Sequence, residues 1–82
     1  MNIKIKIFGP NFFIEYNAEK ILVPAIDGPA LITKQHIKNY SYPLIKNKKL
    51  IIDDIEYPEY IPFICNVIED KLETIVEICC KK

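Results

Sequence analysis

Glycine is scarce here. The chain has only two, Gly9 and Gly28, which excludes the glycine-rich loops that bring backbone close to phosphate, whether G-x-x-x-x-G-K-[ST] or G-x-G-x-x-G. It also excludes a G-x-S-x-G nucleophile elbow and a glycine-rich oxyanion loop. Histidine is scarcer still: His36 is the only imidazole available as a base, and nothing pairs with it convincingly, Ser41 lying five residues away. The three cysteines, Cys65, Cys79 and Cys80, are odd in number and lack C-x-x-C spacing, so neither a zinc site nor a disulfide framework is expected. In a reducing compartment they read as small apolar fillers, with adjacent Cys79 and Cys80 on opposite faces of a strand.

Excess charge is missing too. Eleven basic residues balance eleven acidic ones, which removes the electrostatic term behind most non-specific nucleic-acid affinity and argues against a DNA or RNA partner. The longest stretch nearly free of charge, Tyr57 to Ile68 with Glu59 inside it, falls far short of the roughly 20 apolar residues of a spanning helix. No charged leader with an apolar run opens the chain, so a soluble protein is expected. At 82 residues the expectation is one domain, residues 1–82, with a thin core that buries roughly 60–65% of the unfolded chain's surface. A stability of about 4–12 kcal/mol follows, to which a binding partner would add materially.

What is present is β-pattern. Ile3, Ile5 and Ile7 alternate with Lys4 and Lys6, the period of a half-buried strand, and Gly9-Pro10-Asn11 supplies a turn after it. Phe12 to Tyr16 is expected to return beside the first strand. Lys20 to Pro24 forms a third, closed by Ile26-Asp27-Gly28-Pro29, in which Asp-Gly favours the positive φ of a tight turn. Ala30 to Thr33 follows as a fourth. Tyr40, Tyr42 and Leu44 mark a fifth that Pro43 places at an edge, and Asn47-Lys48-Lys49 turns into Leu50-Ile51-Ile52. Asp53 to Pro58 reads as an acidic loop. Tyr60 to Val67 and Leu72 to Cys79, around a turn at Glu69-Asp70, suit a hairpin, although Leu72, Ile75, Val76, Cys79 and Cys80 also fit a helical face. Strands at this spacing predict an all-β fold, a small antiparallel sandwich or barrel of about eight strands.

The remaining constellations are weak. Asp53-Asp54 with Glu56 lacks the spacing and glycine of an EF-hand, so a solvated turn is expected over a cation site. Tyr40, Tyr42, Tyr57 and Tyr60 could stack bases as an OB-fold face does, but tyrosines at strand ends also serve a protein interface without electrostatic cost. With no catalytic residue, cofactor or metal site in view, the sequence points to a binding protein and not an enzyme.

Specific residues support a family resemblance. Val23-Pro24-Ala25-Ile26-Asp27-Gly28, then Ile32, then His36, match in spacing the V-P-x-x-x-G turn, short strand and x-x-H-A-P loop of one family. Gly9-Pro10 and Glu19 to Val23 fit its opening strands, and Asn66-Val67-Ile68-Glu69-Asp70-Lys71-Leu72 its E-V-x-x-D-K-V hairpin. From Ile5 onward the chain thus resembles the N-terminal β-sandwich domain of the epsilon subunit of F-type ATP synthases, called delta in mitochondria. Pro62-Phe63 stands where the family has a Gly-Gly pair, so close backbone packing must differ there, although Pro62 could be accommodated at a bulge or on an edge. Family members continue into a C-terminal helical hairpin; that hairpin is absent from a sequence ending at Lys82, and ATP sensing is not expected.

The resemblance implies a non-catalytic rotor subunit of the central stalk. Its partners would be the gamma subunit and the membrane c-ring, with Asp27, Gly28, Pro29 and His36 at the c-ring end. It also implies a peripheral position on the cytoplasmic face of a bacterial inner membrane, or on the matrix side of the mitochondrial inner membrane. The alternative is a free-standing β-barrel adaptor for a peptide or nucleic acid, using the tyrosines with Lys46, Lys48 and Lys49.

Overall fold

A computed structural model describes residues 2–34, 39–46, 48–70 and 73–81. His36, Lys38, Asn47, Lys71 and Leu72 lie outside the described residues. The elements are β1 (Ile3–Phe8), β2 (Phe13–Ala18), β3 (Lys20–Val23), β4 (Ala30–Thr33), β5 (Tyr40–Pro43), β6 (Leu50–Ile52), β7 (Ile55–Tyr57), β8 (Pro62–Glu69) and β9 (Thr74–Cys80). They form a five-stranded sheet in the order β2-β1-β9-β8-β5 and a four-stranded sheet in the order β4-β3-β6-β7.

The period-2 pattern dictates which faces meet. Ile3, Ile5 and Ile7 of β1, Val76, Ile78 and Cys80 of β9, and Cys65 and Val67 of β8 point inward from the first sheet. They meet Ile21, Val23, Ile32, Leu50 and Ile52 from the second, and all are buried in one contiguous core. At about 25 cal/mol per Å² of apolar area removed from water, these branched side chains supply most of the drive to fold. The β1–β2 hairpin closes through Gly9, whose N–H donates to the Phe12 carbonyl at 2.9 Å. The ring of Phe12 lies where a Cβ on Gly9 would stand, so a side chain there would displace it.

The all-β expectation holds, with three refinements. The last segment is a strand, because Thr74, Val76 and Ile78 alternate inward beside β1 and β8, not a helix. β1 and β9 run parallel, from Lys4 opposite Ile75 to Phe8 opposite Cys79, so the expected purely antiparallel pattern is broken once. The chain crosses the whole second sheet between those strands, which is the long connection that parallel pairing requires.

The third refinement corrects the acidic loop expected over Asp53 to Pro58. Ile55–Tyr57 is a ninth strand, β7, returning along β6 with Ile52 opposite Ile55. Asp53 and Asp54, at φ of 48° and 67°, form the two-residue turn with both residues left-handed that suits a twisted hairpin. Aspartate tolerates that region better than most residues.

Candidate docking end of the sandwich

The turn after β3 is built by backbone bonds. Ala25 N donates to Val23 O at 3.0 Å and Gly28 N to Ala25 O at 3.1 Å. Gly28 sits at φ 125° with open space around it, so what it contributes is backbone conformation and not clearance. Asp27 and Pro29 are exposed beside it.

This turn is tied to the end of β5. Ile26 N donates to Pro43 O at 2.9 Å, Ile45 N to Pro24 O at 2.8 Å and Leu44 N to Phe63 O at 3.1 Å, and Ala25 and Leu44 form an isolated bridge between the sheets. Phe63 is the residue that the β8–β9 register skips between Pro62 and Ile64. Pro62 is thus accommodated at a bulge, which turns the Phe63 carbonyl to Leu44. Around this knot stand three exposed apolar side chains, Ile26 at 59%, Phe63 at 43% and Ile45 at 39% exposure. Lys81 Nζ lies 5.9 Å from the centre of the Phe63 ring. Three apolar groups held on a hydrogen-bonded frame, with Asp27 beside them, suit the contact of another protein and supply no reacting group.

Sequence reasoning placed Asp27, Gly28 and Pro29 here but missed Ile26, Ile45 and Phe63. The signal for them was the run of apolar residues beside turn residues, which reads equally as buried core. The strand β4 leads away from the turn, so Lys34 at its end and Asn39 before β5 stand at the far end of their strands from Gly28.

Other constellations resolve into structure. The Asp53 carboxylate accepts from Glu19 N at 3.0 Å and Lys20 N at 3.1 Å, and Asp54 pairs with Lys20 at 3.3 Å. Among the described residues no three His, Cys, Asp or Glu side chains stand together as a metal site would require. Ser41 Oγ bonds the Asn66 side chain.

The tyrosines separate. Tyr40 and Tyr42 pack edge to face at 4.6 Å on β5, with burial raising the Tyr42 hydroxyl pKa. Tyr57 and Tyr60 are instead on the opposite side of the sandwich. There Phe12 stacks on Tyr60 at 5.7 Å, Tyr57 on Tyr60 at 6.0 Å, and Tyr16 meets Tyr57 at 5.5 Å. The Tyr16 and Tyr60 hydroxyls share a 3.0 Å hydrogen bond, and burial followed by that bond raises the Tyr60 pKa. Four rings close this side of the core, so the four tyrosines do not make one stacking face. Burial also pushes the Cys65 thiol up to about 12 and the Cys80 thiol to about 11, with Cys79 adding to both.

The described residues contain no helix long and apolar enough to cross a membrane. No protein-family model matches the chain, and no curated protein matches it in sequence. Among solved structures, the fold is that of a chain in the cryo-EM structure of the central stalk and c-ring of the mitochondrial ATP synthase of Tetrahymena thermophila. The match has a TM-score of 0.68 at 13% identity, covers 100% of this chain, and spans 65% of the other.

Proposed function

We propose that this chain is a non-catalytic rotor subunit of a proton-translocating F-type ATP synthase, the counterpart of the epsilon subunit (delta in mitochondria). It docks on the gamma subunit and the c-ring and so helps couple proton flow to ATP synthesis. One observation carries the reading: the whole chain superposes on a chain of an ATP synthase central-stalk structure, and the motifs around Gly28 and Asp70 follow the family's order. Asp53, Asp54 and Ser41 are engaged in holding turns and strands, which agrees with a subunit that binds.

In this reading the exposed end around Ile26, Asp27, Gly28 and Pro29 meets the polar loops of the c-ring. His36, expected at that end too, lies outside the described residues, and its flanking Lys34 and Asn39 stand at the opposite end of their strands, so the interface is assigned to the Gly28 turn alone. The protein then sits peripherally on the membrane through the complex, on the cytoplasmic face of a bacterial inner membrane or the matrix side of the mitochondrial one. Tagged protein recovered from its native membranes brings down gamma, alpha, beta and c subunits. Recovery of none of them would end the reading. An Ile26→Ser, Asp27→Ala variant keeps the fold and loses c subunits from the recovered set; undiminished recovery would move the interface elsewhere.

A further inference from the structure

The two sheets have four outer edges among the described residues: β2 and β5 on the first, β4 and β7 on the second. Three are short. β7 has three residues, β4 four, and β5 four with Pro43 at its end, which are common protections against adding a strand. The fourth edge, β2, runs six residues, Phe13 to Ala18, with neither proline nor lysine. Its register with β1 pairs Ile7 with Ile14, Ile5 with Tyr16 and Ile3 with Ala18. Because Gly9 and Phe12 are hydrogen-bonded at the hairpin end, alternation of the ladder turns the N–H and C=O groups of Ile14, Tyr16 and Ala18 toward β1. Those of Phe13, Glu15 and Asn17 face outward.

Side chains at this edge define what fits. Phe13, 51% exposed, packs at 5.0 Å on Phe8, and Glu15 stands on the same outer face two residues on. On the inner face Tyr16 reaches Tyr57 of β7, and Ile55, on that same strand, is 58% exposed.

A second copy of this chain fits poorly. A two-fold that pairs Phe13, Glu15 and Asn17 in full sets Glu15 directly against its own copy, and like charges so placed repel. Glu15 has Lys6 opposite it on β1, and on its open side charge complementarity calls for a second basic residue. We propose that β2 accepts an extended strand from a different protein, antiparallel, with an apolar residue opposite Phe13 and a lysine or arginine opposite Glu15. The proposal is independent of the rotor reading, since co-purification and strand addition fail separately.

The test uses the full chain and a cyclic β-hairpin peptide whose free strand reads Thr-Val-Lys-Ile-Val, with a Glu-for-Lys counterpart as control. Binding is followed by calorimetry and amide hydrogen exchange. The lysine peptide should bind saturably and in preference to its counterpart, slowing the amides of Phe13, Glu15 and Asn17 while those of Ile14 and Tyr16 change little. Glu15→Pro removes an outward N–H at an edge that tolerates proline and should weaken binding about tenfold. Glu15→Lys should reverse the preference between the two peptides, and it decides the matter should the proline variant fail to fold. No saturable binding, undiminished binding by a folded Glu15→Pro, or a self-dimer of the chain that Glu15→Pro dissolves would each overturn the proposal.

Discussion

Gly28 shows how much one backbone angle holds. Its φ of 125° is a region that L-residues rarely adopt, yet nothing lies within 4 Å of where its Cβ would be. Gly28→Ala is therefore expected to cost about 1–3 kcal/mol through strain alone, read as a lower melting temperature. A D-alanine introduced by chemical synthesis should be tolerated, because it prefers the mirror region. At the cysteines, reactivity should sort by strand face. Cys79 is half-buried on the outer face while Cys65 and Cys80 are buried, and a thiol at about 12 is ionised at pH 8 to only roughly one part in ten thousand. Mass spectrometry after brief alkylation of native protein should find Cys79 modified first and Cys65 last; equal labelling would mean the core opens readily.

The strands with strict alternation were legible in the sequence. Ile3 to Ile7 folds where its pattern places it, because burying one face leaves the register no freedom, and Ala30 to Thr33 was marked by the Asp-Gly turn before it. β7 was not legible: Ile55-Glu56-Tyr57 is too short to show a period, and two aspartates look like a solvated loop. What makes it a strand is tertiary. The Asp53 carboxylate caps the Glu19 and Lys20 amides of the neighbouring chain segment, and Tyr57 is held by Tyr16 and Tyr60. The docking end was half legible for a similar reason, since the glycine turn has a local signature but Ile45 and Phe63 come to it only through long-range backbone bonds. The φ of 67° at Asp54 gives a test of the hairpin. Asp54→Val should destabilise the protein by about 1–2 kcal/mol, β-branching being costly in that region. Asp54→Gly should match or slightly exceed the parent in a urea titration, its exposed ion pair with Lys20 being worth little.

For the molecule as a whole, buried thiols set an alkaline limit. Cys65 and Cys80 keep their protons in the folded state up to about 12 and about 11, whereas in the unfolded chain they ionise near 9.0. Below pH 9 they bear no cost. Above it the unfolded state releases protons first, so stability falls as pH rises, at up to about 1.4 kcal/mol per pH unit for Cys65. Melting temperatures measured from pH 7 to 11 should drop beyond pH 9, and Cys65→Ala, though less stable throughout, should fall with a shallower slope. An unchanged slope would place the limit in other groups.

The parallel pairing of β1 with β9 has a consequence in time. Among the described strands the first finds its inner neighbour only in the last, so at synthesis the inner edge of β1 stays unpaired until β9 is made. The centre of the larger sheet cannot form until β9 has left the ribosome. Closure of this sheet is then a late, all-at-once event, and shortening the chain by its final strand would remove the middle of the sheet and not its margin.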